Sequence, residues 1–151
     1  IEIYGYDDPK AKEYAESWGV FMQLINIIRD VSEDAKRDRI YLPIDDLARW
    51  GISEEDVKSG EALLEHPGWA PFVEEYLERA DGYRQRAFKL LGHLDKSARY
   101  SPAAMASFYQ SIMAKISKKK GDVFSERIQL SKTEKILLAG YVYVRYRFFG
   151  F

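Results

Sequence analysis

The stretch WGVFMQLINIIRDVSEDAKRDRIYLP, residues 18–43, decides the fold because it joins a long, largely apolar helix to a charged loop. The helix is predicted to begin further back, at Asp8-Pro9, where a carboxylate can cap the helix and proline suits the first helical position. The pattern then continues to about Asp34 and gives the longest predicted helix. The segment 36–43 is charged and ends in proline, so it is predicted to be a loop.

Helical signals continue to the end of the chain. Apolar residues recur every three or four positions from Trp69 to about Leu94, and again from Ser101-Pro102 to lysines 118–120, where Gly121 gives a stop. The segment 60–68 is interpreted as a linker between helices. Two short helices are predicted, one from Ile44 to Trp50 that ends at Gly51, and one from about Glu54 to Lys58 that begins at a Ser53–Asp56 capping box. A last helix is predicted to begin at a Ser131–Glu134 capping box and to reach toward Phe148.

Strand signals are almost absent. Only FSERIQL, residues 124–130, alternates like a strand, and it is too short and isolated to found a sheet. The chain has 151 residues, 46% of them hydrophobic and 15% aromatic, which is enough to bury a core. We therefore predict an all-α protein in which residues 1–151 form a single helical unit.

Composition excludes several classes of function. The 23 basic and 24 acidic residues nearly cancel, so the chain has no overall field that would collect nucleic acid. It has no cysteine, which removes disulfides, thiolate zinc sites and thiol nucleophiles. No apolar run approaches the length of about 18 residues that a membrane span needs. A cytoplasmic protein, at most peripheral to a membrane, is expected.

Polar residues interrupt the long apolar helix at helical spacing. Gln23, Asn26, Asp30 and Asp34 fall within an arc of about 80° on the helix, while the apolar residues occupy its other sides. This set of four is called the polar stripe below. A buried amide is costly without partners, so the stripe is expected to face a cavity.

The two aspartates of the stripe lie one helical turn apart, about 6 Å along the axis, where like charges repel unless a cation is near. Carboxylate and amide oxygens favour Mg²⁺, which commonly bridges carboxylates to substrate phosphates. Two interpretations stay open on the residues alone. The pair is either a divalent-metal site or a solvated acidic face near a helix end.

Two segments resemble the squalene/phytoene synthase family of head-to-head prenyl synthases. Residues 18–43 are similar to the family's second aspartate-rich signature, a Gln-x-x-Asn-x-x-x-Asp-x-x-x-Asp helix followed by a basic loop and an RIYLP-like segment. The chain from Met105 through Phe108-Tyr109 to DVFSER, residues 122–127, and Ser131-Lys132 is similar to the family's C-terminal pattern. With YDDP at residues 6–9, the resemblance covers nearly the whole chain.

The resemblance implies an isoprenoid-synthase-like helical bundle and a role for seven residues. In such a site Asn26, Asp30 and Asp34 hold Mg²⁺, or Mn²⁺ in its place, against a prenyl diphosphate. Gln23, Asn26, Arg29 and Arg127 lie near the diphosphates, and Tyr109 joins the two aspartates as a catalytic residue. Without the resemblance, Tyr109 is typical of a core aromatic and Arg29 of a salt bridge to a neighbouring helix.

The family reaction joins two farnesyl (C15) or geranylgeranyl (C20) diphosphates through a cyclopropylcarbinyl diphosphate to dehydrosqualene, squalene or phytoene. NADPH is required only by squalene synthases proper. The short C-terminus favours the bacterial type of phytoene or dehydrosqualene synthase. A complete member is about twice as long and carries a first aspartate-rich helix, so the N-terminal half of the enzyme is an expected partner and this chain alone is expected to be inactive.

Two alternatives remain. The chain could be another class I terpene or prenyl synthase, although the RIYLP and VFSERI segments argue against this. It could also be a non-catalytic helical interaction module. In that case residues 136–151 (ILLAGYVYVRYRFFGF), with Arg145 and Arg147 among aromatics, would bury against another chain or rest on a membrane surface. A last helix packed on its own domain is the favoured interpretation of this segment.

Overall fold

The structure, a computed structural model, describes residues 2–149, and the side chain of Phe149 lies outside the description. Within this range no strand forms, and the only sheet-like pairing is an antiparallel bridge between Tyr6 and Leu94. The all-α prediction is confirmed. The α-helices are α1 Ala11–Ala35, α2 Ile44–Arg49, α3 Glu54–Lys58, α4 Trp69–Ala87, α5 Leu90–His93, α6 Tyr100–Lys118 and α7 Lys132–Phe149.

Helix starts follow the capping signals closely. Asp8 Oδ1 accepts a hydrogen bond from Lys10 N at 2.8 Å, and α1 begins at the next residue. Ser53 and Asp56 form the predicted capping box at α3. At α7, Glu134 Oε2 accepts from the Ser131 amide at 2.8 Å, while Ser131 Oγ accepts from the Glu134 amide at 3.1 Å. These side chains satisfy amides that have no partner inside the helix.

One predicted boundary is wrong, and one predicted linker between helices contains a short helix. The helix predicted from Trp69 to Leu94 ends at Ala87, because the amides of Lys89, Leu91 and Gly92 bond three residues back instead of four. This tighter turn leads into α5, where Leu90 and Leu91 are both buried. The segment interpreted as a plain linker contains a 3₁₀ helix, Gly60–Glu65, which buries Leu63.

The chain groups into two compact units, and α1, α4 and α6 contribute residues to both. The first unit comprises Ile1–Met22, Asp81–Ile112 and Gln129–Phe151. Its core joins Trp18 of α1 to leucines of α5, alanines of α6 and Val142 of α7. Trp18 stacks on Phe88 with ring centres 6.0 Å apart.

The second unit comprises Gln23–Ala80 and Met113–Ile128. Its largest fully buried side chains are Trp69 and Tyr76 of α4, with Ile25 and Ile28 of α1. The Tyr76 hydroxyl is buried without a hydrogen-bond partner, and burial raises its pKa. The polar stripe and Arg127 belong to this unit.

Candidate functional site

The polar stripe lies on α1 beside a strictly apolar face. Ile25 and Ile28 are fully buried and Val31 nearly so, which holds this part of α1 against the core of the second unit. Along the stripe, Gln23 is exposed, whereas Asn26, Asp30 and Asp34 are half-buried. The apolar face therefore fixes three oxygen-bearing side chains at the edge of the core.

Asn26 carries an unusual atom. Its side-chain oxygen Oδ1 is buried and accepts no hydrogen bond. An unsatisfied buried acceptor costs on the order of 1–3 kcal/mol, so a protein rarely keeps one without a use. A neutral oxygen without a donor is suited to a bound cation.

Asp30 is held by two arginines. Arg29 donates to it from Nε at 2.9 Å and from Nη2 at 2.5 Å, and Arg127 Nη2 lies 3.4 Å from Oδ1. Burial alone would raise the pKa of Asp30, but the two guanidiniums outweigh burial and hold the pKa below its ordinary value of 3.8. Asp30 is therefore an anion at neutral pH, as a metal ligand must be.

Arg127 connects the loop after α6 to the acidic face of α1. Besides Asp30, its Nη1 lies 3.2 Å from Glu33 Oε1. The Arg127 side chain is 51% exposed, so part of the guanidinium remains open to a further anion. Sequence similarity predicted a diphosphate contact for Arg127, and the structure adds that it is already paired with the carboxylates of α1.

The conformation of the loop that carries Arg127 is fixed by contacts that could not be predicted from the sequence. Gly121 ends α6 with a φ of +81°, and a Cβ there would meet Val73 Cγ2 at 2.6 Å. Its carbonyl accepts a hydrogen bond from the buried Trp69 Nε1 at 3.0 Å. A glycine stop was predicted, but nothing in the sequence indicates which tryptophan binds it.

Asp122 then folds the loop back on itself. Its Oδ1 accepts from the amide of Ser125 at 2.9 Å and from that of Phe124 at 3.3 Å. Burial alone would raise the pKa of Asp122, and these amide donors lower it below the ordinary value. The loop thus reaches Arg127 in a defined conformation.

Asp34 lines a narrow cleft with Arg39 and Tyr41 of the loop after α1. The cleft has a volume of about 10 Å³, which is room for a single water molecule. It is far smaller than the cavity that the sequence led us to expect beside the stripe.

Tyr109 lies on α6 in the first unit. Its ring is half-buried and meets the edge of Phe21, with ring centres 6.3 Å apart. This packing is what a core aromatic at helical spacing would show. A catalytic role for Tyr109 stays a prediction.

The residues present fit a magnesium ion. The donors on α1 are two carboxylates and one unsatisfied amide oxygen, all hard oxygen ligands of the kind that Mg²⁺ prefers. Within residues 2–149 no group of three or more histidine, aspartate or glutamate side chains is placed to hold a metal. Such a partial set suits an ion that completes its shell with water and phosphate oxygens.

The all-helical fold matches that of a solved structure. The chain superposes on the crystal structure of a dehydrosqualene synthase in complex with ligand, with a TM-score of 0.76 and 25% sequence identity. The match covers 89% of this chain and 46% of that one. The fold is therefore isoprenoid-synthase-like.

The sequence model of the squalene/phytoene synthase family matches residues 1–134, and the chain belongs to that family. Among its relatives are chloroplastic phytoene synthase 2 of Zea mays, 36% identical over 127 residues, and chloroplastic phytoene synthase 1 of Arabidopsis thaliana, 34% identical over 145 residues. These matches cover 84% and 91% of this chain but only 31% and 34% of the relatives. The chain thus spans about a third of the length of these curated relatives.

No helix within residues 2–149 is long and apolar enough to cross a membrane.

Proposed function

We propose that this chain is the C-terminal half of a Mg²⁺-dependent synthase that joins two prenyl diphosphates head to head. The substrates would be geranylgeranyl diphosphate, giving phytoene, or farnesyl diphosphate, giving dehydrosqualene or squalene, through a cyclopropylcarbinyl diphosphate. Family membership supports the reaction class, since the relatives are phytoene synthases and the structural neighbour is a dehydrosqualene synthase. An isoprenoid product of this kind would place the enzyme in carotenoid biosynthesis or a related route.

The observation that carries the proposal is the unsatisfied oxygen of Asn26 in line with Asp30 and Asp34. Bound Mg²⁺ would stabilise the negative charge that develops on the departing diphosphate. Asn26, Asp30 and Asp34 would orient the ion as ligands and would not transfer protons. Gln23 lies on the same face of α1 and could donate to a phosphate oxygen.

The arginines would take a second role. Arg29 and Arg127 neutralise Asp30 in the structure, and a guanidinium presents a fork of donors that matches phosphate oxygens. On diphosphate binding, the exposed part of Arg127 would pair with a phosphate oxygen, and Asp30 would exchange an arginine partner for the ion. Exchange of this kind keeps each charge paired throughout, which lowers the cost of loading the site.

An apolar groove in the first unit supports a hydrocarbon substrate. It has a volume of about 260 Å³ and is lined by Ala15, Trp18 and Gly19 of α1 together with Leu94, Pro102 and Met105. Its walls are mainly apolar, so water in it is replaced favourably by a hydrocarbon chain. A Cβ placed at Gly19 would have no other atom within 4 Å, so the absence of a side chain there leaves open space in the groove.

The test is product identification with the full-length polypeptide. The protein is incubated with Mg²⁺ and either geranylgeranyl or farnesyl diphosphate, with and without NADPH, and the extracted hydrocarbon is identified by mass spectrometry. We expect phytoene from the C20 substrate, or dehydrosqualene or squalene from the C15 substrate. A head-to-tail product, or no product from folded protein, contradicts the proposal.

Variants of acidic residues inside and outside the polar stripe test which carboxylates the reaction needs. Asp30→Asn with Asp34→Asn should lower turnover on the order of a thousandfold, because the leaving-group charge loses its counter-ion. Asp45→Asn, at an exposed position of α2 in the same unit, is the control and should leave turnover within about twofold. Residues 1–151 alone should give no product, and activity from them would show that a second aspartate-rich helix is not needed.

A further inference from the structure

In the second unit, α2 is joined to α4 by a network of charged side chains. Asp46 of α2 accepts from Arg79 Nη1 of α4 at 2.7 Å and from Arg49 Nη2 at 3.2 Å. The same Arg49 nitrogen lies 2.5 Å from Glu75 Oε1 of α4, and Trp50 Nε1 donates to Glu75 Oε2 at 3.0 Å. Arg79 Nη2 lies 3.7 Å from Glu75 Oε1 and completes the circuit. These five residues are called the α2–α4 network below.

The network is fully charged at neutral pH. The hydrogen bond from Arg79 holds the pKa of Asp46 below its ordinary value, and that from Arg49 does the same for Glu75. An isolated exposed ion pair contributes little, but charges that share partners fix one another in place. The Asp46 side chain, which binds both arginines, is only 19% exposed. The network is therefore more than a set of loose surface pairs.

α2 depends on contacts of this kind for its position. It has only six residues, whereas an isolated helix shorter than about 12 residues is marginal in water. Leu47 is its one buried residue, and Pro43 before it gives no side-chain cap. Apolar burial is non-directional, so Leu47 alone does not fix the orientation of the helix. The directed bonds to α4 supply what Leu47 cannot.

The loop before α2 shapes the surroundings of Asp34. The amides of Arg37 and Arg39 donate to the Asp34 carbonyl at 2.9 and 3.0 Å, and Arg39 and Tyr41 line the cleft beside Asp34. Leu42, at the end of the loop, is buried, and only Pro43 separates it from the first residue of α2. A shift of α2 would therefore move the loop that lies against Asp34.

We propose that the α2–α4 network is a positioning device for Asp34. It fixes α2 on α4, and α2 holds the loop 36–43 against the C-terminal end of α1. Asp46, Glu75 and Arg79 act through the loop and are positioning residues. The inference rests on the proposed function only for the role of Asp34 as a magnesium ligand.

A second contact also anchors the loop. Lys58 Nζ of α3 lies 2.5 Å from Asp38 Oδ1. These side chains are 41% and 82% exposed, so the pair is screened by solvent and is the weaker anchor. Lys58→Gln therefore serves as a comparison for the network variants.

Hydrogen–deuterium exchange of the full-length protein, without Mg²⁺ or substrate, tests the proposal apart from catalysis. Asp46→Asn with Arg79→Gln should speed exchange in peptides that cover residues 37–42 on the order of tenfold, with little change at Ile25 and Ile28. Lys58→Gln should have a smaller effect. Asp45→Asn, an exposed neighbour on α2 outside the network, should have none.

The conservative variant Arg79→Lys tests the need for charge at this position. Lysine keeps the attraction to Asp46 but loses the guanidinium fork, so it should recover most of the protection that Arg79→Gln loses. Equal exchange in Arg79→Lys and Arg79→Gln would show that the charge of Arg79 does not hold the loop.

The Mg²⁺ requirement of the full-length enzyme separates positioning from mere stability. Asp46→Asn with Arg79→Gln should raise the Mg²⁺ concentration for half-maximal turnover on the order of tenfold, the low end for groups that orient a ligand without touching the metal. Turnover at saturating Mg²⁺ should stay within about twofold. A lower melting temperature with an unchanged Mg²⁺ requirement would make the network a structural support only.

Two exchange results would also overturn the proposal. The first is a loop that exchanges at the wild-type rate in the double variant. The second is faster exchange throughout the second unit, which would mean a general loss of stability. A folded wild-type enzyme that gives no product defeats the proposed function instead, and the exchange results then decide the role of the network by themselves.

Discussion

The polar stripe of α1 and the apolar row of α7, which comprises the exposed residues Leu137, Tyr141, Val144 and Phe148, depart from the usual arrangement of a helix in opposite ways. α1 brings Asn26 and Asp30 to the edge of the core, while α7 turns Leu137 and Phe148 to the outside. The negative charge of Asp30 on α1 is neutralised inside the second unit, because Arg29 and Arg127 form ion pairs with it. On the exposed side of α7, Arg145 Nη1 lies 3.4 Å from the Tyr141 hydroxyl, and the Arg147 guanidinium lies 5.8 Å from the centre of the Phe148 ring.

The two helices differ in whether their unusual side chains are compensated inside their own unit. Asp30 is paired with Arg29 and Arg127, because an unpaired half-buried carboxylate would be costly. The Asn26 oxygen on the same helix is buried without a hydrogen-bond partner. The apolar row of α7 lies at the surface of the first unit, where the exposure of apolar side chains costs the folded protein little.

The largest effect is expected where the loop that serves α1 is anchored. Gly121→Ala would force a side chain into a φ of +81° and bring its Cβ to 2.6 Å from Val73 Cγ2. We expect a loss of about 3 kcal/mol in the free energy of unfolding, measured by urea denaturation. Arg127 would also leave its place beside Asp30.

Gly82→Ala is the control for this change. Gly82 lies inside α4 with open space around the position of a Cβ, so alanine there should raise stability by about 0.5–1 kcal/mol. Equal effects at the two glycines would show that the contact of Gly121 with Val73 and Trp69 is not what shapes the loop.

The next effect separates the two faces of α7. Val142→Ala removes two methyl groups from the core of the first unit and should cost about 2 kcal/mol. Val144→Ala makes the same change at a side chain that is 48% exposed and should cost less than about 0.5 kcal/mol. The measurement is the shift of the urea midpoint. A large loss at Val144 would mean that this side of α7 is packed inside the protein.

The smallest effect concerns the charge on α1. The pKa of Asp30 is lower in the folded than in the unfolded protein, so its stabilising contribution is complete above the ordinary value of 3.8 and is lost as the pH falls through the folded-state pKa. The difference in unfolding free energy between wild type and Asp30→Asn, without divalent cations, should be about 1 kcal/mol at pH 6 and shrink below pH 3.8. A difference that grows on acidification would contradict the pairing with Arg29 and Arg127.

Local signals were sufficient for most of the fold. Capping residues act on the next turn of the chain, so Asp8, Ser53 and Ser131 predicted the starts of three helices to within about two residues. The spacing of the polar stripe likewise follows from α-helical geometry. The break after Ala87 was missed because Phe88-Lys89 carries no glycine or proline, and the turn there depends on how Leu90 and Leu91 enter the core.

Contacts between distant segments could not be predicted in the same way. The hydrogen bond from Trp69 to Gly121 and the ion pair of Arg127 with Glu33 join residues that only the tertiary fold brings together. Family resemblance selected Arg127 but not its carboxylate partners. The roles assigned by resemblance to all seven site residues stay predictions, and geometry alone gives Gln23, Arg29 and Tyr109 ordinary structural places.

Calorimetric titration of the full-length protein with a non-hydrolysable prenyl diphosphate analogue, with and without Mg²⁺, tests the central claim most directly. We predict tight binding that requires Mg²⁺ in the wild-type protein and in Asp45→Asn, and loss of the Mg²⁺ requirement together with most of the affinity in Asp30→Asn with Asp34→Asn. Binding of equal strength with and without Mg²⁺, or Mg²⁺-dependent binding that survives in the double variant, would contradict it.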